Sequence, residues 1–210
     1  MDVQTLRNRI VELSHHGLGN DVDINAKALS WLNSAYHELM DEIVPLAPAA
    51  LQVREDITTG VDGAAVVAQK VHKVVQVVER AGKRVLQVVS PAEVLAAEVD
   101  GLSGQPRLVS VSGTVLQVYP AQAVNVSMVY VPQALDLVES GAEDSVMLPT
   151  RFHSVLVWGG LVWSALYDRG FLSQSELVLY QRQWLAGKEQ VRLSLLSDSR
   201  VERVAPFTWL

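Results

Sequence analysis

The chain has no cysteine among its 210 residues. This absence excludes disulfide bonds, thiolate metal sites and a cysteine nucleophile. An excess of positive charge is also missing, because the formal net charge is -6. Binding of nucleic acid without sequence specificity requires clustered Lys and Arg near the phosphates. The negative net charge therefore argues against general nucleic-acid binding. The length suffices to bury a substantial core, in one large domain or one domain with a subdomain.

A hydrophobic run long enough for a membrane helix is lacking as well. The uncharged stretch 153–167 has about 15 residues, short of the roughly 20 that a helix needs to cross a bilayer. The first residues form a polar amphipathic segment, without the basic and apolar regions of a signal peptide. The sequence therefore predicts neither a membrane span nor a signal peptide.

Familiar catalytic motifs are absent too. There is no Gly-x-Ser-x-Gly elbow, phosphate-binding glycine loop, His-Glu-x-x-His or dinucleotide fingerprint. His37 and Asp41 lie one helical turn apart, as metal ligands can, but a solvated polar face is the preferred interpretation. His72 is expected to face solvent, and His153 to be a buried structural histidine with satisfied hydrogen bonds. We predict no catalytic residue, no metal and no cofactor.

The first quarter of the chain predicts two amphipathic helices. The first is indicated by apolar residues spaced by three and four, namely Val3, Leu6, Ile10 and Leu13. It is expected to end near Gly17. A second apolar stripe, from Ala28 to Ile43, predicts a longer helix that Pro45 ends.

The middle of the chain is rich in valine and predicts a sheet. β-Branched residues at this density between Val66 and Val89 favour strands, and Ala81-Gly82 predicts a hairpin turn with charged residues at its exposed end. Ser90 followed by a proline predicts the N-cap of a short helix over 91–99. Further strands are predicted at residues 107–111, 114–119 and 124–131.

One apolar helix dominates the C-terminal part. Pro149 is expected in its first turn. Apolar residues lie on nearly every side of it, among them Phe152, Leu156, Trp158, Leu161 and Trp163. A helix of this kind must be covered all round, so we expect more helices or another subunit on the side that a sheet does not cover. A capping box, Ser173-x-x-Glu176, predicts one more helix.

The last segment, 197–210, is polar at first and apolar at its end. Its apolar residues are Val204, Pro206, Phe207, Trp209 and Leu210. Because exposing them to water is unfavourable, this segment is expected either to fold back onto the core or to dock into a partner.

The order of these elements resembles that of the head-to-tail adaptor (connector) proteins of tailed bacteriophages. The motifs that carry the resemblance are Leu116-Gln117-Val118-Tyr119-Pro120, Val129-Tyr130-Val131-Pro132 and Leu148-Pro149. The resemblance implies an α+β fold with a helical bundle from residues 1–50 and 136–196. It also implies a β-rich subdomain with one short helix at 51–135, and an extended docking tail at 197–210.

The same resemblance implies a virion structural protein rather than an enzyme. Such a protein forms a homo-oligomeric ring, commonly of twelve subunits, at the neck between head and tail, with a channel for DNA ejection. The implied partners are the portal protein and a downstream tail or nozzle protein, while DNA passes without specific binding. The apolar residues of 204–210 would form the portal-docking tail, and the apolar helix would serve the core or the ring.

Two other functions stay open from the residues alone. The chain would serve as a phage-associated cell-wall hydrolase if one of Glu38, Glu93 and Glu143 lay in a cleft as a catalytic acid or base. It would serve as a monomeric binding module if the edge of the valine-rich sheet accepted a partner strand.

Overall fold

The computed structural model describes residues 1–14, 22–46, 48–101, 103–167 and 172–201. The chain divides into two compact units. Met1–Ala50 and Ala134–Leu210 form one, here called the helical unit, and Leu51–Gln133 form the other, here called the β unit. The predicted mixed α+β fold is confirmed.

Five α-helices and seven strands occur in the described residues. In chain order they are α1 (Val3–Leu13), α2 (Val22–Ile43), β1 (Val53–Thr58), β2 (Ala64–Val66), β3 (Val71–Glu79), β4 (Arg84–Val88), α3 (Pro91–Val99), β5 (Leu108–Ser112), β6 (Val115–Tyr119), β7 (Asn125–Pro132), α4 (His153–Tyr167) and α5 (Gln174–Val201). Short 3₁₀ turns at Val44–Leu46, Ala49–Leu51, Glu143–Ser145 and Thr150–Phe152 connect some of them.

The helical unit is built around α4. This helix packs against α1, α2 and α5, and α1 also packs against α2. Phe152, Leu156 and Leu161 are buried, whereas Trp158 and Trp163 are half-buried. Helices of the same chain therefore cover most of α4, and the second subunit that its composition suggested is not needed for this purpose.

Several element boundaries differ from the predicted ones. The first helix ends at Leu13, while Gly17 lies outside the described residues. Pro149 caps the 3₁₀ turn that precedes α4 and so lies before the first turn of the α-helix. At the other end, α5 continues to Val201, beyond Ser197, where the extended tail was expected to begin.

The predicted capping box begins α5. The Ser173 hydroxyl accepts the backbone N–H of Glu176 at 3.3 Å, and the Glu176 carboxylate accepts the backbone N–H of Ser173 at 2.8 Å. We expect Ser173→Ala to lower the free energy of unfolding by about 1 kcal/mol, because a first-turn N–H loses its acceptor. Urea denaturation measures this, with the exposed Gln181→Ala on the same helix as the matched control. Equal stability of the two variants would contradict the role of the cap.

In the β unit, seven strands form one sheet in the order β1-β7-β3-β4-β5-β6-β2. All neighbours are antiparallel except β4 and β5, which are parallel. The two outer strands, β1 and β2, are consecutive in the chain, and the turn between them is closed by the Gly60 N–H donating to the Ala64 carbonyl at 2.8 Å. This short connection brings the sheet edges together, so the sheet is barrel-like.

Apolar side chains fill the inner face of this sheet. Its fully buried members include Val77, Val109, Leu116, Val126 and Met128. Tyr130 lies among them and donates its hydroxyl to Glu55 at 2.9 Å. Burial, and then the carboxylate of Glu55, raise the pKa of Tyr130 to about 12.

The hairpin around Ala81-Gly82 joins β3 and β4 as predicted, but one of its charged residues is not exposed. Glu79 is only 4% exposed. Its carboxylate accepts the backbone N–H of Gly82 at 2.9 Å and pairs with Arg84 at 3.3 Å. The hydrogen bond to Gly82 lowers the pKa of Glu79, against the effect of burial. The side chain thus stabilises the turn from within.

Candidate functional site

His153 is buried at the start of α4 and holds three segments together. Its Nε2 lies 2.8 Å from the Leu148 carbonyl, and its Nδ1 lies 3.0 Å from the Met1 carbonyl. The side chain is 1% exposed. The prediction of a structural histidine with satisfied hydrogen bonds is therefore confirmed.

A polar cluster of the helical unit surrounds Glu38. One carboxylate oxygen accepts Trp163 Nε1 at 2.9 Å, and the other accepts Lys188 Nζ at 2.9 Å and Trp184 Nε1 at 3.3 Å. Lys188 also pairs with Glu42 and lies 5.3 Å from the centre of the Trp184 ring. Glu38 thereby links α2 to both α4 and α5. We call these four residues, Glu38, Trp163, Trp184 and Lys188, the Glu38 cluster.

Hydrogen bonds and ion pairing keep both Glu38 and Lys188 ionised. Burial acts to raise the pKa of Glu38, but the hydrogen bonds from Lys188 and Trp163 outweigh it and lower that pKa. Burial acts to lower the pKa of Lys188, but its bonds to Glu42 and Glu38 raise it. A carboxylate held ionised in this way is a poor general acid, because the proton it would donate is absent near neutral pH.

The other two carboxylates considered for hydrolysis also hold the fold. Glu93 completes the capping box of α3, accepting the backbone N–H of Ser90 at 2.7 Å. Glu143 lies 2.8 Å from the amino group of Met1. Glu38 and Glu143, which both belong to the helical unit, have separate partners, Lys188 and the amino group of Met1.

The remaining candidates for metal binding have ordinary surroundings. His37 pairs with Asp136 at 2.6 Å, and Asp41, one turn away, is exposed. His72 is exposed, as predicted. Within the described residues, no three His, Asp or Glu side chains are grouped as metal ligands. Residues 15 and 16, the other two histidines, lie outside them.

The predicted docking tail cannot be placed, because Val204, Pro206, Phe207, Trp209 and Leu210 lie outside the described residues. The apolar residues of α4 form the packed centre of the helical unit, as described above. No helix of the described ranges combines the length and apolar character that crossing a bilayer requires.

Two features of the helical unit were missed by the sequence reasoning. Gly159 and Gly160 let neighbouring helices approach the α4 backbone closely, and Lys188 organises the Glu38 cluster. The glycine pair was a readable signal, because glycine inside a helix is unfavourable unless a close approach requires it. No such signal existed in the sequence for Lys188, because its partners are about 150 residues away.

The candidate histidines and carboxylates thus cap helices and connect distant segments, as in a structural protein of the α+β class. A family model described as SU10 adaptor protein matches residues 1–205. The chain belongs to this family and is a structural adaptor protein of tailed bacteriophages, a component of the virion. No curated protein matches the sequence.

Proposed function

We propose that this chain is a head-to-tail adaptor that forms a homo-oligomeric ring on the portal, connects the capsid to the tail and leaves a channel for DNA. The family match over residues 1–205 is the observation that carries this function. Twelve subunits are the expected number, by the resemblance. The helical unit is proposed to act as the bundle that forms the body of the ring, and the β unit to present a face to the next tail component.

Exposed apolar residues on α5 support an assembly role. Leu185 and Leu193 are 62% and 58% exposed, and their spacing of eight residues places them on one side of the helix. Val178, seven residues before Leu185, is 49% exposed on the same side. An apolar stripe of this kind is typical of a protein interface. Because α4 is covered by its own chain, α5 is the better candidate for contacts between subunits.

The direct test is electron microscopy of the purified chain mixed with the portal ring of the same genome. A second ring stacked coaxially on the portal is expected, and its symmetry gives the subunit number. A portal that stays bare, with the added chain folded by circular dichroism, would overturn the proposed function.

The tail is proposed to anchor the adaptor on the portal. We expect deletion of residues 205–210 to leave the circular dichroism spectrum unchanged and to abolish portal binding, because Phe207, Trp209 and Leu210 supply its apolar contacts. Trp209→Ala is expected to weaken binding at least tenfold, and Thr208→Ala is the matched control. Co-sedimentation with the portal ring measures both. Normal binding of the truncated chain would show that another surface docks.

A further inference from the structure

The outer face of the β unit carries a shallow groove with positively charged walls. Its volume is about 310 Å³, and β1, β3, β7 and the hairpin turn line it. The lining residues are Arg54, Gln76, Val78, Arg80, Lys83, Ser127 and Val129. We call it the basic groove.

The positive charge of the basic groove is only partly compensated. Arg80 pairs with Asp56 at 3.0 Å, and both are about half exposed. Arg54 donates its Nε to the Ser127 hydroxyl at 3.0 Å, a neutral acceptor. Neither Arg54 nor Lys83 forms an ion pair with the described residues of the chain. Three cations therefore face one carboxylate, and donors remain for an anionic ligand.

Lys83 has an unusual backbone that supports a role for its side chain. Its φ angle is 51°, in the left-handed region, where a residue with a Cβ is disfavoured by roughly 1 kcal/mol relative to glycine. Glycine or asparagine is the usual choice at such a turn. A lysine here is unfavourable for the hairpin itself, but it brings an ammonium group to the basic groove.

The size of this charge favours a protein ligand over nucleic acid. Proteins that hold DNA by its backbone commonly neutralise about six to ten phosphates, and each lost contact weakens binding steeply. A local excess of two charges on a chain of net charge -6 falls short of that. A carboxylate needs only a few complementary charges at close range. The planar guanidinium group of arginine can bind it through two parallel hydrogen bonds. The valines between the cations suit the aliphatic stem of an acidic side chain.

The helical unit of the chain carries a net charge of the opposite sign. The helical unit contains ten Lys and Arg against sixteen Asp and Glu, whereas the β unit contains seven of each. The whole net charge of -6 therefore belongs to the helical unit. A contact between the basic groove of one copy and the helical unit of another joins two unlike surfaces, and contacts of that type generate a closed ring when the rotation between copies closes.

We propose that the basic groove binds acidic side chains of the helical unit of a second copy and so forms part of the lateral contact in the ring. This inference rests on the proposed function. It names Arg54 and Lys83 as the cations that such a contact neutralises.

Substitutions in the full-length chain test the proposal by ring formation on the portal. Lys83→Gly and Arg54→Gln are each expected to raise the concentration needed for half-complete rings roughly tenfold, and higher salt is expected to do the same to the unsubstituted chain. Lys83→Gly is also expected to keep or raise the melting temperature, since it relieves the left-handed residue. A loss of assembly with this variant therefore cannot come from misfolding. Arg107→Gln removes an exposed cation of the same unit outside the groove and is the matched control.

The outcomes separate this inference from the proposed function. Rings that form equally well with Lys83→Gly and Arg54→Gln would overturn the groove contact and leave the adaptor function standing. An unsubstituted chain that forms no ring on the portal would overturn both.

Cross-linking identifies the ligand directly. Because the chain has no cysteine, Gln76→Cys provides a single attachment point for a photoreactive maleimide in the groove lining without removing one of its cations. After illumination of assembled rings, mass spectrometry is expected to find cross-links to residues 1–50 or 134–210 of a second copy. Cross-links to the portal, to another tail protein or to DNA instead would contradict the proposal.

Discussion

Gly159→Leu is expected to destabilise the helical unit by about 3 kcal/mol or more. A Cβ at this position would lie 2.7 Å from Ala35 Cβ on α2 and 2.9 Å from the Trp184 ring on α5. Both distances are shorter than van der Waals contact, and Ala35 and Trp184 are buried. The helix propensity of leucine exceeds that of glycine by up to about 1 kcal/mol, so the packing clash must outweigh a favourable backbone term. The smaller Gly159→Ala is expected to be destabilising too, by a lesser amount.

The tryptophans provide a selective signal for this measurement. Of the five tryptophans, Trp31, Trp158, Trp163 and Trp184 lie on α2, α4 and α5 of the helical unit, Trp209 lies outside the described residues, and residues 51–133 contain none. Urea denaturation followed by tryptophan fluorescence therefore reports the unfolding of that unit. Ser154→Leu, which places the same side chain on the exposed side of α4, is the control and is expected to change stability by less than about 0.5 kcal/mol. Similar stabilities for the two leucine variants would contradict the close approach at Gly159.

Glu38→Ala is expected to lower the free energy of unfolding by about 2–3 kcal/mol. The substitution removes the carboxylate that accepts Trp163, Trp184 and Lys188, which belong to two different helices. Lys188 keeps Glu42 as a partner, so the loss stays below that of a fully buried ion pair. Tryptophan fluorescence during urea denaturation again gives the value.

Glu42→Ala is the matched control for Glu38, since it lies one turn away and also pairs with Lys188. Its side chain is 49% exposed, and an exposed pair contributes about 1 kcal/mol at most. If the two alanine variants lost equal stability, the tryptophan hydrogen bonds of Glu38 would have no measurable effect.

The contribution of Glu38 is also expected to depend on pH. Its pKa is lowered in the folded chain, so its stabilisation is fully present above the unfolded pKa of about 4.3. That stabilisation is lost as the pH falls through the lower folded pKa, because the protonated carboxyl no longer pairs with Lys188. The stability difference between the unsubstituted chain and Glu38→Ala should therefore be constant from about pH 5.5 to pH 7 and shrink below about pH 4. A difference that stays constant to pH 3 would contradict the ionised state of Glu38.

The two units suggest a division of roles within the proposed adaptor. The helical unit has a packed centre at α4, and its described surface offers apolar residues on α5. The β unit has a core of its own and offers charge at the basic groove. An apolar stripe and a charged groove are suited to different tasks, because buried apolar area supplies affinity whereas charge complementarity supplies register and partner choice.

The sequence alone determined the local elements of this protein and their order. Capping residues such as Ser90 and Ser173 fix helix starts through hydrogen bonds three residues away, and Ala81-Gly82 marks the turn of the β3–β4 hairpin. These are short-range interactions, which a linear pattern records. The apolar composition of α4 showed that the helix is covered on most sides, because burial of such a helix is imposed by water.

Only the tertiary structure decided which segments provide the partners. It shows that α1, α2 and α5 cover α4, that Glu38 binds two tryptophans and Lys188, and that Glu79 is buried in its own hairpin. It also brings Arg54 of β1 together with Arg80 and Lys83 of the β3–β4 turn in one groove. Contacts of this kind join residues far apart in sequence, and a single sequence carries no pattern that pairs them. The physical reason is that hydrophobicity and charge determine whether a side chain needs burial or a polar partner. The packing of the helices and the register of the strands determine which residue provides it.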